Sequence, residues 1–146
     1  MGDRITMGSD VCRLSQIIYI TYSNKYTFII HIVIGFSFGL LFLLIPEFFS
    51  SLIGWEPEVF DPINRIFGAA LIGLTTGSIL ALLDPDWEKV KILVRIELVW
   101  LPLGMIAMTY GMLTSDYPAF GWVNVLVLAF LLVLFSIGYY KEVYSN

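Results

Sequence analysis

Apolar and polar positions along this chain separate into long blocks. Four apolar runs, 26–45, 62–83, 92–113 and 119–140, are divided by short segments that hold most of the carboxylates, among them Glu47, Glu56, Glu58, Asp61, Asp84, Asp86 and Glu88. Each run is about 20 residues, and a helical rise of about 1.5 Å per residue carries that length across a hydrocarbon core of about 30 Å. The pattern predicts an all-α integral membrane protein, a four-helix bundle that crosses the bilayer up-down-up-down. The connections are short, so consecutive helices are expected to be antiparallel neighbours.

Local punctuation agrees with these limits. Asp61-Pro62 and Asp84-Pro85 each set a capping carboxylate before a proline suited to the first helical position. Asn24 and Asp116 are expected to cap the first and fourth runs. Residues 1–25 are predicted to be a mobile tail followed by an interfacial turn or an extension of the first helix, and 141–146 a short C-terminal tail; the bundle itself occupies 26–140. In the connection after the first run, Phe48, Phe49 and Trp55 are expected at headgroup level.

Composition turns this pattern into a solvent argument. Hydrophobic residues make up 58% of the 146 residues and charged residues 14%, with a mean hydropathy of +0.84. A soluble chain this small would expose large apolar patches, whereas lipid solvates them. The net charge of −4 argues against a nucleic-acid partner. Cys12 is the only cysteine, so no internal disulfide can form. No small-residue cleavage site follows the first run, which is therefore expected to be retained as a helix.

Basic residues give an orientation. Arg4, Arg13, Lys25, Lys89, Lys91, Arg95 and Lys141 fall on one side of the predicted topology and Arg65 alone on the other. The positive-inside rule then places both termini in the cytoplasm, and a plasma membrane is the expected location.

Small residues predict how the helices meet. Gly35 and Gly39 form a GxxxG pair in the first span, and Ala69, Gly73, Gly77 and Ala81 recur every four residues in the second. Such stripes allow close backbone approach where lipid supplies no hydrophobic drive, so these two spans are expected to pair tightly. In the third span Pro102 removes a backbone donor, and a kink is predicted there.

Ionisable groups within spans are costly and usually face the bundle. His31 and Glu97 each lie about five residues, near 8 Å, from the same membrane face. Arg95 is about 200° around the helix from Glu97, so only one can point inward. Glu97 is assigned inward and Arg95 to the headgroups. Ser78, Ser136 and Tyr139 come from the other spans at similar depth, and the five residues His31, Ser78, Glu97, Ser136 and Tyr139 are expected to form a buried polar cluster. It is read either as a hydrogen-bonded pair that fixes register or as a proton-responsive or ligand-binding site. A second polar site is expected around Arg65, with Glu47, Asp61 or Asn124 as partners; snorkelling to the headgroups is its simpler role. No catalytic residues, metal ligands or cofactor are implied.

A first helix ending at Pro46, the sequence Asp61-Pro62-x-x-Arg65-x-x-Gly68-Ala69 and the glycines at 73 and 77 resemble uncharacterised small four-helix membrane proteins of the DoxX-like kind. The resemblance covers about residues 26–140 and implies the bundle fold. Some DoxX-type proteins are linked to quinone or thiol redox partners; the single Cys12, outside the spans, departs from a thiol role.

Three functions compete. A non-enzymatic accessory or lipid-binding membrane protein, with membrane lipid, a partner membrane protein or a second copy as its partner, fits the dominance of packing features. A small transporter or channel would need an oligomer. A membrane enzyme on an apolar substrate would use His31 and Glu97 as an acid–base pair.

Overall fold

A computed structural model describes residues 6–55, 61–84 and 86–144, with the side chains of 6–24 and of Asp61 excepted. Five helices follow in order: α1 (Thr6–Leu44), α2 (Pro46–Leu52), α3 (Asp61–Leu83), α4 (Trp87–Thr114) and α5 (Phe120–Tyr144). The segments Lys25–Leu44, Pro62–Leu83, Trp87–Thr114 and Phe120–Tyr144 are long and apolar enough to cross a membrane. These four helices are those of a multi-pass membrane protein by length and composition.

The first helix starts well before the predicted limit. Between Gly8 and Gly35 the chain has neither proline nor glycine, so nothing interrupts the hydrogen-bond ladder, and α1 runs unbroken for 39 residues. Asn24 is thus helix interior and not a cap. At about 1.5 Å per residue α1 is close to twice the thickness of the hydrocarbon core, so its first half projects beyond the spanning segment. Of the alternatives expected for 1–25, the extension of the first helix is the one present from Thr6 onward; residues 1–5 lie outside those described.

Two further caps move. The side chain of Asp86, and not that of Asp84, accepts from the Glu88 N–H at 3.1 Å and opens α4. Asp116 lies four residues before Phe120, too far to cap α5. The connection after α1 also has structure of its own. Pro46, at the start of α2, sets the helical φ, and the short helix presents Phe48 to the outside while Phe49 is buried. Phe49 meets Phe38, Phe42 and Phe120 edge to face, so it packs into the bundle and does not present its ring outward.

The most extensive contact is that of α1 on α3, followed by α4 on α5; α1 against α5 joins the two pairs. Within each pair, contacts climb one helix as they descend the other. His31, Gly35 and Gly39 of α1 face Ser78, Thr75 and Gly68 of α3, and Gly104 and Gly121 face Leu128 and Met112 across α4 and α5.

The α1–α3 seam uses Gly68 and Thr75, not the four-residue stripe of the sequence. A Cβ on Gly68 would lie 2.6–3.0 Å from backbone atoms of Gly39, Phe42 and Leu43. Of the stripe, Ala69 and Gly73 are exposed, a Cβ on Gly73 would meet nothing within 4 Å, Gly77 lies against Leu93 of α4, and Ala81 is buried in the core. Gly68 is one position from Ala69, a turn of about 100° about the axis, which rotates the stripe away from α1.

The core is concentrated at one end. Phe28, Ala81, Val90, Val94, Leu101, Leu131 and Phe135 pack together where α1 begins its span, α3 and α5 finish and α4 starts. Helix α4 continues unbroken through Pro102. It meets α3 near their connection, where Ala81 joins Val90 and Val94 in the core and Gly77 lies against Leu93, and a cavity lies between the two helix pairs toward their other ends.

Candidate functional site

On α4 the buried positions Val90, Val94, Glu97 and Leu101 repeat at three and four residues, so one stripe faces the bundle. Three members of that stripe are aliphatic. The fourth is Glu97, which is fully buried. Arg95, two residues away, is exposed.

His31 of α1 comes to meet this carboxylate. Its Nε2 stands 3.9 Å from Glu97 Oε1, and its Nδ1 lies 2.7 Å from the Ser78 hydroxyl of α3. Phe135 of α5 closes the remaining side, its ring edge-to-face with the imidazole at 5.4 Å. Four helices thus converge on one imidazole, which is itself 6% exposed. At 3.9 Å the His31–Glu97 contact is electrostatic and is longer than a hydrogen bond. Neither Glu97 oxygen has a hydrogen-bond donor among the described residues, an uncommon state for a buried carboxylate. A proton carried by the pair leaves it net neutral on either group, which is how two ionisable side chains can share an apolar interior.

His31, Ser78 and Glu97 therefore come together, and Ser136 and Tyr139 do not. Ser136 is exposed, because Phe135 takes the inward position and the next residue turns about 100° away. Tyr139 is partly buried and pairs with Trp87, ring centroids 5.9 Å apart.

Arg65 donates to the Leu43 carbonyl at 2.9 Å and to Glu47 at 3.1 Å, tying the end of α1 and the start of α2 to α3. Asn124 is elsewhere, on the cavity wall; Asp61 as a partner falls on a side chain outside those described. The Arg65–Glu47 pair is 40% and 56% exposed, which limits it to about 1 kcal/mol or less. Lys89 pairs with Asp84 and Lys91 with Glu88 around the α3–α4 connection.

The cavity extends from His31 toward the far ends of the helices. It has a volume of about 1150 Å³ and lies between the α1–α3 and α4–α5 pairs. Its walls are mainly apolar, with Phe38 and Phe42 from α1, Leu71 from α3, Trp100 and Met108 from α4 and Leu128 from α5. His31 provides the polar group at the end nearest the core, and the other end is bounded by Gly54, Trp55 and the turn at 114–118. Gly54 adopts φ +80°, a conformation that suits glycine, and its backbone approaches Pro118. Among the described residues no group of three His, Cys, Asp or Glu side chains could hold a metal ion.

Reading the sequence identified His31, Ser78 and Glu97 but not Thr75 or Phe135, and it gave Gly68 only a place in the motif from Asp61 and Trp55 only one at headgroup level. Thr75 is fully buried and donates to the Leu71 carbonyl at 2.7 Å. Its place three residues before Ser78 on one helical face was the available signal. No family model matches the chain, and neither a curated protein nor a solved structure was found to resemble it.

Proposed function

We propose that this protein is a non-enzymatic membrane protein that holds a lipid-like ligand in the cavity between its helix pairs. The observation that carries the reading is the cavity itself, about 1150 Å³ with largely apolar walls and with Thr114, Ser115 and Asp116 at its outer end. Ligand sites have this composition, apolar surface for affinity and a few polar groups for orientation. A cavity that opens between two membrane helices draws its occupant from the bilayer.

The finer topology belongs to the same proposal. The helices run up-down-up-down with both termini in the cytoplasm of a plasma-membrane protein, supported by the seven-to-one distribution of Lys and Arg. In that orientation the His31–Glu97 pair lies in the cytoplasmic half and the Trp55 end of the cavity faces outward. A DoxX-like relationship, resting on the motif from Asp61 to Gly77, fits such a bundle.

The test is purification in a mild detergent followed by native mass spectrometry, comparing the wild type with Ala107→Trp. Ala107 lines the cavity and is otherwise exposed, so an indole there fills the site without entering the core. The wild type is expected to retain a lipid at about one per chain and the variant to lose it. Equal retention by both would refute the reading.

A second reading is a small oligomeric transporter. The exposed Ala69–Gly73 face of α3 favours it, because small exposed residues suit close contact between copies.

A further inference from the structure

The two ends of the cavity differ in chemistry. Along α1 its wall extends from His31 to Phe42, eleven residues or about 16 Å of helix, close to half of a hydrocarbon core of about 30 Å. A single acyl chain within one leaflet has that reach. The inner end, closed by the core, is suited to a chain terminus. The end near 54–55 and 114–118 is where a headgroup would rest.

Among the described residues the cavity wall contains no Lys or Arg, and its one carboxylate is Asp116. Three aromatic residues, Trp55, Tyr110 and Tyr117, line the same end. The rings of Trp55 and Tyr117 are 5.9 Å apart and tilted by 34°. The Trp55 indole nitrogen is buried and has no acceptor among the described residues. Such a group is a donor only, and leaving it unmet inside the protein is unfavourable.

These features select a headgroup. A quaternary ammonium has no N–H to donate, so it is recognised by aromatic faces and by a nearby carboxylate. A simple anionic head would meet Asp116 with no Lys or Arg of the described wall to offset it.

We propose that the Trp55–Asp116–Tyr117 end of the cavity binds the head of a phosphocholine amphiphile, with the ammonium against Asp116 and the two rings and the acyl chain lying toward His31. This rests on the cavity being a lipid site.

The experiment titrates full-length protein, held in a maltoside detergent, with dodecylphosphocholine and with dodecyl phosphate. The two probes share a tail and differ in the choline. Wild type should bind the phosphocholine saturably and about tenfold more tightly than the phosphate. Asp116→Asn, at an exposed position, should remove most of that discrimination, and Trp55→Phe should weaken the phosphocholine while keeping an aromatic ring. Ala107→Trp should abolish binding of both probes. Equal affinity for the two probes, or discrimination that survives Asp116→Asn, overturns the headgroup assignment and leaves the cavity reading standing. Binding of both probes that survives Ala107→Trp overturns the cavity reading itself.

Discussion

His31 of α1 and Glu97 of α4 face one another at 3.9 Å inside the bundle, although 66 positions separate them in the chain (97 less 31). Helices α1 and α4 share no extensive seam, so this polar contact is a specific link between the two halves of the bundle. Ser78 holds the other side of the imidazole, and the contact therefore also involves α3.

Breaking this link from one side should be worse than replacing it from both. His31→Leu removes the group that faces the fully buried Glu97, and a cost of about 1–3 kcal/mol is expected for the carboxyl left unmet. The double variant His31→Leu/Glu97→Leu removes both polar groups and should recover most of that loss. Reversible unfolding in mixed micelles measures both, and strictly additive losses would show that the residues do not interact.

The α1–α3 seam makes a sharper distinction between glycines. Gly68→Ala forces a methyl against the backbone of Gly39, Phe42 and Leu43, and a loss of about 1–3 kcal/mol is expected because backbone cannot swing aside. Gly73→Ala adds a methyl in open space and should gain about 0.5–1 kcal/mol from the better helix propensity. The same unfolding measurement reads both signs.

How far the sequence revealed these features follows from what each signal measures. Run length and hydropathy located the four spans because a bilayer imposes one thickness on every helix. Helical spacing brought His31 and Glu97 inward because an intramembrane charge has few tolerable places. Periodicity alone did not establish which side of α3 faces α1. Gly68 and Gly73 are both small, and only the partner helix distinguishes the one that meets backbone from the one that faces open space. The inward place on α5 went to Phe135 and not Ser136, since a large ring fills space beside His31 that a hydroxyl would leave open. The cavity was not legible, because it lies where the two helix pairs part, and no residue pattern records a separation.

Topology can be read with the protein's own thiol. Cys12 is the only cysteine, so a membrane-impermeant maleimide added to intact cells should leave the chain unlabelled and should label it after permeabilisation. Labelling of intact cells would place the N-terminus outside and invert the proposed orientation.

The Arg65–Glu47 pair should matter little to stability. Both side chains are substantially exposed, and Glu47→Gln is expected to shift unfolding by about 1 kcal/mol or less, with Arg65 keeping its bond to the Leu43 carbonyl. A loss several times larger would mean that this pair, and not the packed seam, holds α3 in place.

Occupancy of the cavity by an amphiphile is measured most directly by fluorescence from within its wall. Trp55 and Trp100 both line the cavity, and the variant Trp87→Phe/Trp122→Phe leaves them as the only tryptophans. In nanodiscs of unbrominated lipid, a single-chain amphiphile brominated along its tail should quench them saturably at about one equivalent per chain. Adding Gly104→Leu, which fills the wall beside Leu128, should abolish the saturable part. Quenching that rises only in proportion to total brominated amphiphile, and is unchanged by Gly104→Leu, would show that no ligand enters the cavity.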